Sequence, residues 1–295
     1  MNDIPYVSVI IPVYNDPDGV KRCLKALHAQ QYPSERFEII VVDNNSTPPL
    51  CPELSPHPNV RCLVEGRRGS YAARNRGIAE ASGEVFAFTD ADCTPAPDWI
   101  EEGVKALETE QAAVAAGAVE FTFQGKEPNP WEYYDASTYL NQEKDVSEKG
   151  VASTANLFIR REMIEKFGPF KADLQSGGDY ELTSRMREKG GKLIFAEHAV
   201  VMHPARSTFS AIFRRDRRVL EGSVVMRRKK GSRINFPSNF RSYVPTKTIP
   251  NPGARELSFV EKMSVYVVFN TRRCLRTYYQ MKHAILQRID IFIGL

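Results

Sequence analysis

Apolar and polar positions fall into alternating blocks along the first 120 residues. Val7-Ser8-Val9-Ile10-Ile11-Pro12-Val13 is a β-branched run that predicts a first, central strand. The run breaks at Pro12 to Asn15. Asp16-Pro17-Asp18-Gly19 then carries the start signal of a helix reaching Gln31, with Val20, Leu24 and Leu27 on one face. Phe37 to Val42 predicts a second strand that ends in Asp43-Asn44-Asn45-Ser46. Pro48 to Pro58 reads as loop and Val60 to Val64 as a short third strand. A glycine-flanked basic loop from Gly66 leads into a helix that should stop at Gly83. Val85 to Thr89, bounded by Gly83 and Pro95, predicts a buried strand that ends in Asp90-Ala91-Asp92. A helix from about Pro97 to Glu108 and a strand from Ala113 to Val119 follow. Strands alternating with helices predict a parallel, doubly wound α/β sheet, whose ligands gather at the carboxyl ends of the strands. Three of those ends are polar: Tyr14-Asn15, Asp43-Asn44 and Asp90-Ala91-Asp92.

Composition keeps this picture and adds a division. With 295 residues, 42% hydrophobic and 26% charged, the chain reads as globular. No apolar stretch approaches the roughly 20 residues of a membrane span, and Asp3 and Pro5 argue against a signal peptide. Five cysteines without a Cys-x-x-Cys spacing predict neither a disulfide framework nor a zinc site, and so a reducing cytoplasm. Residues 1–200 carry 21 Lys and Arg against 31 Asp and Glu, whereas residues 201–295 carry 19 against 5. An acidic body, residues 1–205, is thus expected to precede a basic, mainly helical extension, residues 206–295.

The carboxylates of Asp90 and Asp92 suit a hard divalent cation, and such a cation suits a phosphate. A polar turn after a strand is the plainer reading of Asp-Ala-Asp alone. Further motifs accompany it: Pro12-Val13-Tyr14-Asn15, Val41-Val42-Asp43-Asn44-Asn45-Ser46, Ala72-Ala73-Arg74-Asn75-Arg76-Gly77 and Gly177-Gly178-Asp179-Tyr180-Glu181-Leu182. In this order, over roughly residues 5 to 205, the chain resembles the inverting glycosyltransferases of family 2, with the GT-A fold: a Rossmann-like, mostly parallel sheet flanked by helices.

The resemblance implies transfer of a sugar from a nucleoside-diphosphate sugar, with Mn²⁺ or Mg²⁺ neutralising the leaving diphosphate. Asp92 is then the direct metal ligand, while Asp90 holds the ribose or a metal-bound water, with Ala91 between them. Asp43 accepts from the base, the ring N–H for uracil, which favours a UDP-sugar; otherwise Asp43 is a turn former. Pro12, Val13 and Tyr14 line the same pocket. Arg74, inside the Ala-Arg-Asn pattern, is favoured as the phosphate contact over Arg67 and Arg68, because surface arginines are usually only solvated. Asp179 is the candidate general base, with Gly177 and Gly178 leaving space for an acceptor and Glu181 and Arg185 orienting it or pairing. As a structural residue Asp179 would cap a helix, and a helix N-terminus would keep it ionised. His203, after Ala199-Val200-Val201-Met202, is either a metal or diphosphate ligand or a satisfied strand-end histidine.

Beyond Ala205 the residues speak for themselves. Ser207 to Lys230 places Phe209, Ile212, Phe213, Val219 and Leu220 at helical spacing with Arg214, Arg215, Arg217 and Arg218 between them, some of which could reach a diphosphate. Gly231 to Glu256 is Pro-rich and irregular, with a position suited to a lid. From Ser258 to Ile293, Val260, Met263, Val267, Leu275, Tyr278, Met281, Ile285 and Ile289 approximate an apolar stripe beside Lys262, Arg272, Arg273, Arg276, Lys282 and Arg288. This suits either an anionic bilayer surface or a protein face. The expected acceptor is a saccharide or a lipid-linked intermediate at the cytoplasmic face. No nucleic-acid recognition motif accompanies the basic charge. A sugar nucleotidyltransferase would need a glycine-rich phosphate signature near the N-terminus. A binding module without chemistry would have lost one of Asp43, Asp90, Asp92 and Asp179.

Overall fold

The computed structural model describes residues 4–54 and 59–229, and beyond them 263, 265–271, 273–274, 277–278 and 281. The elements anticipated in the first 120 residues are present: β1 (Val7–Val13), α1 (Pro17–His28), β2 (Phe37–Asp43), β3 (Val60–Val64), α3 (Ser70–Glu80), β4 (Val85–Thr89), α4 (Trp99–Thr109) and β6 (Val114–Thr122). Between them lie a short helix α2 (Cys51–Leu54) and a two-residue strand β5 (Thr94–Pro95). α1 ends before Gln31 because Gln30 turns its side chain to α4, donating to Ala96 O at 2.6 Å and accepting from Ile100 N at 3.0 Å. The chain continues through α5 (Pro130–Thr138), α6 (Gln142–Lys144), β7 (Asn156–Arg160), α7 (Arg161–Phe167), α8 (Gly178–Glu188), β8 (Leu193–Pro204) and α9 (Phe209–Lys229).

The eight strands form one sheet in the order β3-β2-β1-β4-β7-β6-β8-β5. β3, β2, β1 and β4 are parallel, as is β6 with β8. The expectation of a parallel sheet is corrected at β7, which runs antiparallel between β4 and β6. Val7, Val9, Ile10 and Ile11 of β1 are fully buried because helices cover both faces, which is why this strand reads as a continuous apolar run. On one face Val9, Ile11 and Val41 pack with Val20, Leu24 and Leu27 of α1 and Trp99, Val104 and Leu107 of α4. On the other face α3 lies so near that a Cβ on Gly77 would sit 2.5 Å from Ile10 Cγ2.

Asn156, fully buried at the start of β7, stitches the middle of the sheet. Its Nδ2 donates to Ala118 O and Ala199 O, each at 2.7 Å, and its Oδ1 accepts from Trp99 Nε1 at 2.8 Å. Those carbonyls flank the irregularity at which β6 Gly117 pairs with Ala196 but Ala118 pairs with Val200.

Two cysteines depart from expectation. Cys51 of α2 and Cys62 of β3 form a disulfide, with Cα atoms 5.3 Å apart, and Cys23, Cys93 and Cys274 remain free. The short helix folds back onto the strand and brings the thiols together, a pairing that no spacing rule announces.

The chain divides into two compact units: residues 1–122 with 140–204, and residues 123–139 with 205–295. In the second unit α5 opens with a capping box, Asn129 Oδ1 accepting from the N–H of Trp131 and Glu132 while Glu132 Oε2 accepts from Asn129 N. Of the four arginines set between the apolar positions of α9, Arg215 is buried against Asp135 at 2.8 Å and over the Tyr139 ring, whereas Arg214, Arg217 and Arg218 are exposed. The tail is helical at its described positions, but Met263, Val267 and Tyr278 of the expected stripe are exposed, while Val265, Val268 and Thr277 are buried. Met281 is half-buried, and the segment from Gly231 to Glu256 lies outside the described residues, as do Val260, Leu275, Ile285 and Ile289. Among the described residues no helix is long and apolar enough to cross a membrane.

Candidate active site

The carboxyl ends of β1 and β2 are in register, Val13 opposite Asp43 and Asp43 opposite Val64. Asp43 is 1% exposed, and its two oxygens accept from Ser46 N and Leu50 N, each at 2.9 Å. It therefore shapes the loop after β2. Asn44 does the same for the loop before α3, donating to Glu65 O and Arg67 O and accepting from Gly69 N at 2.8 Å. Tyr14 stands exposed beside these loops, and Pro12 and Val13 form the strand end beneath it. Arg67 and Arg68 are exposed on the second loop.

α3 carries Arg74 to the acid pair. Its guanidinium is buried and ion-pairs with Asp90 Oδ1 at 2.5 Å, while its Nε has no hydrogen-bond partner. Asp90 thus pairs with a buried cation, whereas Asp92 faces His203. Ala91 between them is buried.

β5 explains how Asp92 meets His203. Thr94 pairs with Met202 and Pro95 with Val201, so the Asp-Ala-Asp turn and the end of β8 lie side by side. His203 Nε2 is 3.8 Å from Asp92 Oδ2. Its Nδ1 lies 2.8 Å from Pro204 O, a carbonyl that can only accept, so Nδ1 carries a hydrogen and Nε2 is the ring nitrogen turned toward Asp92. Metal-binding histidines commonly have the other ring nitrogen held by a carbonyl in this way, and the carboxylate beside Nε2 offers a hard oxygen ligand. The separation is below twice the roughly 2.1 Å of an ordinary metal–ligand bond, so one ion can reach both atoms. Cys93 Sγ completes a cluster whose ligand atoms lie within 4.8 Å of one another, but burial pushes its thiol well above the ordinary range. The donor set fits Mn²⁺ or Mg²⁺.

Asp179 sits in the first turn of α8, which Gly177 caps in the left-handed region at φ 78°. The cap is thus Gly177 and not Asp179. The Asp179 Oδ1 accepts from Tyr71 Oη at 2.9 Å and from Tyr180 N at 3.0 Å. Burial raises the carboxyl above the usual aspartate range, although hydrogen bonds from Tyr71 and Tyr180 N and the charge of Arg74 oppose the shift. Gly178 leaves room for the Tyr71 ring, which a Cβ there would meet at 2.8 Å. Burial would raise Glu181 too, but Arg185 and Lys171 outweigh it and hold the carboxyl below its ordinary range. That pairing makes Glu181 a brace of the helix.

Asp90, Asp92, Arg74 and His203 therefore assemble at one place, and Arg74 also acts on Asp179. Tyr71, Asn44 and Asn156 are contributors the sequence reading missed. Asn44 adjoins Asp43 and shares its turn composition, whereas Tyr71 and Asn156 lie far in sequence from the groups they hold.

The profile described as Glycosyl transferase family 2 matches residues 8–168. Glycosyltransferase AglE of Haloferax volcanii is 39% identical over 229 residues, covering 75% of this chain and 74% of that protein. The pre-mycofactocin glycosyltransferase of Mycobacterium tuberculosis is 29% identical over 211 residues, covering 68% of this chain but 43% of its own length. Among solved structures, the mannosyltransferase PcManGT from Pyrobaculum calidifontis, in complex with GDP-Man and Mn²⁺, superposes with TM-score 0.61 at 19% identity, covering 100% of this chain and 77% of that one. S. aureus TarS in complex with UDP-GlcNAc gives 0.55 at 18% identity over 69% and 59%. With its sheet, its acid pair and this match over more than half its length, the chain belongs to glycosyl transferase family 2 and is a glycosyltransferase with the GT-A fold.

Proposed function

We propose that the protein is an inverting enzyme that transfers a sugar from a nucleoside-diphosphate sugar to an acceptor hydroxyl in one metal-assisted displacement. The observation that carries this reading is the Asp92–His203 pair, in which an imidazole nitrogen and a carboxylate oxygen lie 3.8 Å apart, close enough to share one divalent cation. Mn²⁺ or Mg²⁺ held there by Asp92 and His203 supplies Lewis-acid charge for the leaving diphosphate. Arg74, fixed by Asp90, adds a second positive group to the same wall. Pro12, Val13 and Tyr14 line the base pocket, and the Asp43 carboxylate, held in place by its loop, is the acceptor for a base N–H. On the opposite face Asp179 takes the proton of the acceptor hydroxyl; the room at Gly178, expected to serve the acceptor, is filled by the Tyr71 ring. The new C–O bond forms as the C1–phosphate bond breaks, and the diphosphate leaves with the electron pair. One displacement inverts the anomeric configuration.

UDP-sugars are the first donors to test and GDP-mannose the second, since structural neighbours bind UDP-GlcNAc and GDP-Man. The acceptor is a saccharide or a lipid-linked intermediate in glycan, polysaccharide or glycolipid synthesis. With Cys51 bonded to Cys62, cysteine usage no longer points to a reducing compartment. The excess of 19 basic over 5 acidic residues in 201–295 favours a peripheral place on an anionic membrane surface, such as the cytoplasmic leaflet. A donor screen following nucleoside-diphosphate release with Mn²⁺ or Mg²⁺ tests the reading. Release that is metal-dependent and lost in Asp179→Asn supports it, and release unaffected by chelation overturns the metal role.

A further inference from the structure

Tyr71 belongs to the helix that brings Arg74 to the acid pair, yet its hydroxyl reaches a residue 108 positions away. The ring is 5% exposed and is fixed from several sides. It stacks on Phe170 at 5.5 Å, and Phe170 meets Phe88 edge-on at 5.4 Å. Asn75 clamps the Phe170 backbone in both directions, donating to its carbonyl at 2.8 Å and accepting from its N–H at 3.0 Å. Gly178 removes the atom that would collide with the ring. A tyrosine so confined has one direction in which to point its hydroxyl.

The two oxygens of Asp179 are consequently unlike. Oδ1 accepts from Tyr71 Oη at 2.9 Å and Tyr180 N at 3.0 Å, whereas Oδ2 has only the long 3.4 Å contact from Thr154 N. Taking Asp179 as the base, we propose that Tyr71 is a positioning residue for proton transfer. It saturates Oδ1, locks the carboxylate rotamer and leaves Oδ2 as the atom that receives the acceptor's proton. That proton moves from the hydroxyl to Oδ2 as the glycosidic bond forms and the diphosphate departs.

Burial and the neighbouring Asp179 charge push the Tyr71 hydroxyl well above its ordinary range, so it stays protonated and donates throughout the working pH range. The other charged groups around Asp179 have separate partners. Arg74 is paired with Asp90, Glu181 with Arg185 and Lys171, and Asp145, which accepts from Tyr180 Oη, with Lys149. Tyr71 is thus the side chain that hydrogen-bonds the Asp179 carboxylate directly, and it does so from the helix that also carries a donor-side arginine.

The decisive measurement is the titration of the Asp179 carboxyl by carbon-13 NMR in the full chain, assigned by its loss in Asp179→Asn. In Tyr71→Phe the midpoint should move up by about one pH unit, since a charge-assisted hydrogen bond is lost. In parallel, nucleoside-diphosphate release from UDP-glucose, UDP-GlcNAc and GDP-mannose with Mn²⁺ should show kcat at pH 7 down about tenfold with donor KM unchanged. Replacing tyrosine by 3-fluorotyrosine, a stronger donor, should move the midpoint down, and it provides an arm that survives if Tyr71→Phe does not fold. An unmoved midpoint in either arm, or a loss confined to KM, overturns the role given to Tyr71. If Asp179→Asn releases diphosphate at the wild-type rate, the assignment of the base itself is wrong, a result separable from the first.

Discussion

Arg74 and Asp90 form an ion pair at 2.5 Å in which the arginine side chain is 3% exposed and the carboxylate 37%. This pair breaks the symmetry of the Asp-Ala-Asp turn. Asp90 spends one oxygen on a buried cation, while Asp92 faces the Nε2 of His203. Manganese binding followed by electron paramagnetic resonance should therefore separate the two acids. Asp92→Asn should weaken binding by well over a hundredfold, and Asp90→Asn by about tenfold, the low end of the scale for a group beside the ligands. Equal losses would show that both acids ligate.

The pH dependence follows from the surroundings of Asp179. With Asp179 as the proposed base, transfer requires the ionised carboxylate, and burial raises its pKa above the ordinary 3.8, so the acid limb of kcat should lie above that value. Arg74→Ala removes a charge that lowers the pKa and should push the limb further up, whereas Arg74→Lys should hold it in place. For stability the sign reverses. A raised carboxyl costs folding energy when ionised, so Asp179→Asn should gain about 1 kcal/mol or less at pH 7. That gain should fade as pH falls through the raised pKa toward 3.8. Denaturant midpoints at neutral and acid pH measure it, and a loss of stability at pH 7 would refute the assignment.

Gly77 offers a test in which two effects have opposite sign. Helix propensity alone predicts that Gly→Ala in α3 gains up to about 1 kcal/mol. The added Cβ would lie 2.5 Å from Ile10 Cγ2, on the strand at the centre of the sheet. Overpacking of this kind costs about 1–3 kcal/mol, so Gly77→Ala should be destabilising. It should also impair nucleotide binding, because α3 carries Arg74 and Tyr71. A stabilised variant would mean that the helix can move away.

The strands of the first 120 residues were legible because burial on both faces leaves a plain apolar run, as in Val7–Val13 and Val85–Thr89. The family was legible through motifs that keep their order along the chain, those around Asp43, Asp90, Asp92 and Asp179. β7 was not, since it has five residues and opens with a polar Asn156 whose purpose appears only once Trp99 and the β8 bulge surround it. The Tyr71–Asp179 bond was hidden because topology, not spacing, brings α3 to α8. In the tail, apolar residues occupy more than one face. A stripe through Met263 and Val267 was therefore as consistent with the pattern as the buried pair Val265 and Val268.

The Cys51–Cys62 bond is open to direct counting. Under denaturing, non-reducing conditions a thiol reagent should find Cys23, Cys93 and Cys274, and after reduction all five cysteines. In the native protein Cys274 should react first, because Cys23 and Cys93 are buried and burial pushes both thiols up. Closing so short a loop contributes about 2–3 kcal/mol. Cys62→Ser should lower the denaturation midpoint accordingly, and five reactive thiols without reduction would exclude the bond.

Asn156 ties the core to β8, the strand whose end carries His203. Its side chain satisfies two carbonyls at the bulge and the indole N–H of Trp99, in a position with no access to water. Asn156→Ala would leave all three polar groups buried without this partner, at a cost on the order of 3–5 kcal/mol. Trp99→Phe removes only the indole bond and should cost far less, apart from the lost ring area. The two differ in reach as well. Ala199 and His203 lie on the same strand, so releasing the bulge lets the end of β8 drift from the Asp92 turn. Asn156→Ala should therefore lose manganese affinity at temperatures where it is still folded, while Trp99→Phe keeps it. Unchanged affinity in a folded Asn156→Ala would show that the β5–β8 pairing alone holds His203 in place.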